Sequence, residues 1–97
     1  MEAMQVVEDL SKKYGVPVEE LIRVGAELTL KERKKGYLCE RLEILSRYSV
    51  TSVQELENRI QQGEVPDHPA WEDLIEVKNL EAEVKEIDRD LGAVQAA

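Results

Sequence analysis

The residues that most restrict this chain are Val77, Leu80, Val84, Ile87, Leu91 and Val94, which recur at spacings of 3, 4, 3, 4 and 3. An apolar repeat averaging 3.5 residues keeps one narrow stripe on one side of an α-helix and requires a second helix to cover it. The preceding segment, Glu64-Val65-Pro66-Asp67-His68-Pro69, cannot be helix interior, because each proline disfavours helix in the residue before it. The seam helix therefore starts at Asp67 or His68 as a cap, with Pro69 in its first turn. Two and a half heptads are short for a self-standing coiled coil, so the seam must lie against a helix of this chain, of a second chain, or of both.

The covering helix begins at Pro17, whose fixed φ suits a first turn, and carries Glu19 and Glu20 beside the positive end of its dipole. Its apolar residues are Leu21, Ile22, Val24, Leu28, Leu30, Tyr37, Leu38, Leu42, Ile44 and Leu45. Continuous to Arg47, it is about 45 Å long, more than the diameter of a domain this size. Its weak point is Lys31-Glu32-Arg33-Lys34-Lys35-Gly36, polar all round and closed by a glycine, and the sequence leaves open whether the helix bends there. A short helix precedes it from Glu2 to Tyr14, with Val6, Val7, Leu10 and Tyr14 on one face and Gly15 as a left-handed stop. Ser52-Val53-Gln54-Glu55 is a capping box that opens another short helix through Val53, Leu56 and Ile60, ending at Gly63.

These elements predict an all-α fold: a long-helix hairpin with a coiled-coil seam, short N-terminal and connecting helices, and a dimeric helical bundle. The expected seam and dimer residues are Leu21, Ile22, Leu28, Leu38, Leu42, Leu45, Val77, Leu80, Val84, Ile87 and Leu91. Residues 1–97 form one domain. With no Phe, one Trp and three Tyr, the core must be aliphatic and thin, which is the reason to expect a homodimer. Trp71 is expected to seal the turn end of the hairpin beside Leu74 and Ile75.

Charge divides the chain. Residues 1–50 hold 9 acidic and 9 basic side chains, whereas residues 51–97 hold 12 and 4, which accounts for the whole net charge of −8. An acidic half of this kind repels nucleic-acid phosphates and attracts basic protein surfaces. A membrane span is not expected, because no run of about 18 apolar residues occurs. The start Met1-Glu2-Ala3-Met4 lacks a basic, then apolar, signal, so the expected compartment is the cytoplasm.

Catalytic constellations are thin. Glu40 with Glu43, and Glu64 with Asp67, are spaced like the metal-binding carboxylates of all-α nucleoside triphosphate pyrophosphohydrolases. The second pair, however, falls in the proline-rich loop, where no helix aims its side chains at a shared magnesium ion. His68 has Val65 three residues before it, so the Glu-x-x-His of four-helix di-iron sites is absent. The single Cys39 has no converging base and reads as a half-buried helix cysteine, and one Cys with one His cannot make a zinc cage. The five glycines are scattered and form no phosphate loop. No catalytic residue, metal or cofactor is expected.

Residues 6–23 read as helix, Gly-Val turn, helix, and they resemble the paired helices of ribbon-helix-helix antitoxins and repressors. Gly15, Val16, Leu21 and Ile22 stand where that family has its helix-ending glycine, its staple and its dimer-core pair, while Pro17 replaces the usual serine cap. That family reads DNA with an N-terminal strand, and residues 1–5 are too short and too poor in β-formers to supply one. Direct nucleic-acid binding is therefore not expected, and the Lys31 to Lys35 cluster reads as a solvated helix face. A second resemblance covers residues 52–84, which are similar to a group of small helical proteins common in archaea that in turn look like the antitoxin halves of toxin-antitoxin pairs. It implies binding without catalysis and carries no site residues with it. The expectation is an antitoxin-like module that neutralises a basic partner such as a ribonuclease through Trp71, Glu72, Asp73, Leu74, Glu76, Glu81, Glu83, Glu86, Asp88 and Asp90. The alternative is a structural coiled-coil homodimer or adaptor subunit.

Overall fold

The computed structural model describes residues 2–97 as four helices, α1 (Ala3–Tyr14), α2 (Val18–Arg47), α3 (Val53–Gln61) and α4 (Asp67–Ala96), with no strand among the described residues. α1 stops at Gly15, whose φ of 68° is a left-handed conformation open to glycine and costly for most other residues. α2 runs unbroken through Gly36, so the polar stretch from Lys31 to Gly36 does not interrupt the helix. Lys34, Tyr37 and Arg41 hold that stretch from one side by packing on or pairing with other helices, and tertiary packing supplies most of a helix's stability.

The capping box is formed one residue wider than its simplest version. Ser52 Oγ accepts the Glu55 amide at 3.1 Å, and the Glu55 carboxylate reaches back to the Thr51 amide at 2.9 Å. Ser52→Ala is expected to cost about 1 kcal/mol, seen as a lower urea midpoint with an unchanged slope. An unchanged midpoint would show that the cap adds nothing. At α4 the expected cap is absent: neither Asp67 nor His68 caps the helix, and His68 keeps a non-helical backbone (φ −113°, ψ 122°). Its Nδ1 instead lies 2.8 Å from Glu72 Oε1. Pro69 thus opens the regular helix, and its missing N–H is one donor fewer to satisfy.

α2 and α4 form the hairpin. Lys34 Nζ meets Asp88 at 2.7 Å, Arg41 Nε meets Glu81 at 2.6 Å and Arg47 meets Asp73 at 3.4 Å. Partner numbers fall as α2 advances, so the two helices are antiparallel. The resulting body measures 62 × 26 × 18 Å. On α4 the heptad is the buried face: Val77, Leu80, Ile87 and Leu91 are buried, Val84 and Val94 half-buried, and the repeat extends back through Leu74 and Ala70.

On α2 the expected seam is displaced. Leu28 and Leu42 remain 61% and 66% exposed, Ile22 and Leu38 are exposed as well, and Leu21 is half-buried; only Leu45 of the expected α2 residues is buried. The face turned to α4 is Leu30, Lys34, Tyr37, Arg41, Ile44 and Tyr48, at spacings of 4, 3, 4, 3 and 4, roughly a quarter-turn from the leucine stripe. Two of its positions are cations because α4 supplies acids opposite them, and hydrophobicity alone cannot find such a seam.

The best-packed core lies at the α3 end. Ile44, Leu45 and Val50 join Val53, Leu56 and Ile60 of α3 and Ala70, Leu74, Val77 and Leu80 of α4 in one cluster, with Tyr37, Tyr48 and Val65 against it. Lys78 to Glu57 at 3.6 Å and Arg59 Nη1 donating to the Tyr48 carbonyl at 3.1 Å tie α3 down. No residue of α1 is buried, and Ile44 and Leu45 are the only buried residues of α2.

Candidate partner-binding surface

α4 sorts its own acids into two groups. Asp73, Glu81 and Asp88 flank the buried seam and are neutralised within the chain by Arg47, Arg41 and Lys34. Glu72, Glu76, Glu83, Glu86 and Asp90, with Asn79 between them, fall at spacings of 4, 3, 4, 3 and 4 on the exposed face. They form a second heptad-like stripe pointing away from the core. Glu86 is paired with Arg89 at 2.6 Å one turn along, and Glu72 lies beside His68. Glu76, Glu83 and Asp90 have no ion-pair partner among the described residues.

Two large apolar side chains stand near the start of that stripe. Trp71 is 41% exposed and Ile75 57% exposed. Trp71 therefore does not seal the hairpin as expected: Ala70 and Leu74 point into the core and leave the residue between them at the surface. Leu74, expected among the contact residues, is 1% exposed and belongs to the core, as the heptad running back from Val77 requires. Of the ten expected contact residues, the structure exposes Trp71, Glu72, Glu76, Glu83, Glu86 and Asp90, the five acids on one stripe and Trp71 about a quarter-turn from it. It turns Asp73, Glu81 and Asp88 towards α2. Ile75 was missed, although its i+4 spacing from Trp71 on a helix was the available signal.

Asp73 is the most tightly held of the inward acids. It accepts a hydrogen bond from the Tyr48 hydroxyl and lies 3.4 Å from Arg47 Nη1. Burial first, then the Asp73 hydrogen bond and charge, push the Tyr48 phenol up to about 12 from 10.0, with the Arg47 charge acting the other way. The folded state thus binds this proton more tightly than the unfolded chain. The stabilisation is complete below pH 10 and is lost as pH rises through 12. Tyr48→Phe is expected to flatten the fall in stability across this alkaline range, measured by urea unfolding at stepped pH. Parallel curves for the two proteins would contradict the linkage.

The carboxylate pairs considered for metal chemistry, Glu40 with Glu43 and Glu64 with Asp67, are all exposed. Among the described residues no three His, Cys, Asp or Glu side chains gather closely enough to hold a metal ion. Cys39 is exposed, not half-buried. It borders an open groove of about 390 Å³ lined by Lys31, Lys34, Lys35, Leu38 and Leu42 of α2 and by Leu91 of α4. Among the described residues no helix is long and apolar enough to cross a membrane.

The sequence model of the uncharacterized protein MJ0235 family matches residues 1–96. The chain belongs to that family. No curated protein and no solved structure matches it. In this member of the MJ0235 family the match takes in the short α1 as well as the hairpin.

Proposed function

We propose that this protein is a dimeric, non-catalytic protein-binding module of antitoxin type, which neutralises a basic partner such as a ribonuclease through the outward stripe of α4. The observation that carries this reading is the sorting of the acids. Three of them are consumed by internal ion pairs, while Glu76, Glu83 and Asp90 stay exposed and unpaired on a stripe that has Trp71 and Ile75 near its first turns. An exposed carboxylate row speeds encounter with a basic surface and fixes its register, and an aromatic anchor at its end supplies affinity. The lone exposed thiol of Cys39 suits the reducing cytoplasm, where we place the protein.

The deciding experiment is capture of the tagged protein's partners at low and high salt, followed by an assay of each captured protein for ribonuclease activity with and without added protein. A small basic protein that salt releases and whose nuclease activity the chain suppresses supports the reading. Recovery at both salts of nothing but copies of the chain favours the structural homodimer or adaptor, to which the exposed apolar face of α1 lends itself.

A further inference from the structure

The half of the molecule farthest from α3 has much apolar surface and a thin interior, in which Ile87 and Leu91 of α4 are the buried residues. α1 buries none of its residues, and α2 buries none before Ile44. Met4, Val6, Leu10 and Tyr14 of α1 and Val24 and Leu28 of α2 are all exposed. A helix of twelve residues is marginal in water unless its apolar face is packed. α1 packs on α2 near their junction, and that contact leaves this face open.

We infer that Val6, Leu10 and Tyr14 of α1, which share one side of that helix, together with Val24 and Leu28 of α2, are the face through which two copies of the chain dimerise. Together they expose on the order of 500 Å², while one partner of a standard interface contributes about 800 Å², of which somewhat under two-thirds is apolar in homodimers. The patch is therefore large enough for a stable dimer without Leu38 and Leu42, which Lys31 and Lys35 separate from it. A second copy is the occupant that meets no charge barrier here, since α1 carries Glu8 and Asp9 against Lys12 and Lys13. An isologous contact brings the same balanced face from both sides. The outward stripe of α4, by contrast, would repel its own copy.

The patch lies at the opposite end of the hairpin from Trp71, roughly 30 Å along α2 from the α3 junction at the helical rise. A dimer made here leaves both acidic stripes uncovered, so one assembly offers two equivalent partner surfaces; this consequence rests on the function proposed above, whose dimer the apolar face deepens by giving it an interface.

Sedimentation velocity of the full chain, compared with the Leu10→Glu, Leu28→Glu double variant, tests the inference. Wild type is expected at twice the 11.1 kDa chain mass, and the double variant at the single mass with its helical circular dichroism and hairpin melt retained. A wild-type monomer at high micromolar concentration overturns the inference. So does a dimer that survives the double variant but is broken by Leu38→Glu, Leu42→Glu. Should the double variant unfold, hydrogen exchange of wild-type α1 decides: protection that falls at least tenfold on dilution supports the dimer, and protection independent of concentration overturns it. Partner capture by a monomeric variant separates the two readings, because loss of the dimer leaves the α4 stripe intact.

Discussion

Leu74→Ala is expected to destabilise the protein by about 3 kcal/mol, the range found when a fully enclosed leucine is truncated and its cavity cannot collapse. Leu74 is 1% exposed and shares one cluster with Leu45, Leu56 and Val77, which are also fully enclosed. Three helices meet there, so the lost contacts come from all of them at once. In a chain this short the same loss lowers Tm by roughly 15 °C. Leu42→Ala is the matched control: its side chain is 66% exposed, and the change should stay within about 0.5 kcal/mol. Thermal melts followed by circular dichroism at one protein concentration check both. A Leu74→Ala melt within 3 °C of wild type would mean that the α3 end is not the main core.

The second large effect concerns binding. Reversing Glu76, Glu83 and Glu86 to lysine moves the formal net charge from −8 to −2 and removes the centre of the exposed stripe. Affinity for the basic partner isolated by capture is expected to fall by at least about 100-fold at low salt, since like charges facing each other across an interface cost several kcal/mol. The salt dependence of the remaining binding should flatten, because attractive pairs with the partner are lost and the new lysines repel it, two contributions that salt screens in opposite directions. Stability should hold to within about 0.5 kcal/mol, for only the surface pair of Glu86 with Arg89 is lost. Trp71→Ala is expected to weaken the same complex by at least about tenfold with little change in salt dependence, as an apolar anchor does. If both variants bind like wild type by calorimetry, the α4 stripe is not the contact surface.

Much of the fold was legible because local rules suffice for it. The Gly15 stop and the Ser52 box each lie within a few residues of sequence and formed, the α4 heptad repeats over turns of one helix and is buried or half-buried, and α2 starts at Val18, with Pro17 as the residue just outside it. The side-chain cap expected from Asp67 or His68 did not form, and the His68 ring lies beside Glu72, one turn into the helix. The candidate surface was half legible. Composition located the acids on α4, but which of them are used up inside the chain depends on where α2 lies.

By itself, then, the sequence determined that the chain is helical, where its helices begin and end, and that the stripe from Val77 to Val94 would be buried, because periodicity and capping act over one or two turns. Only the tertiary structure decided which face of α2 meets α4. Two stripes compete on that helix: one rich in leucine, the other mixing Lys34 and Arg41 with Tyr37, Ile44 and Tyr48. The mixed stripe wins because Glu81 and Asp88 stand opposite its cations and α3 closes over the Leu45 end of the groove. Those partners are 40 and 54 residues away in sequence, so no window along the chain contains both sides of the contact.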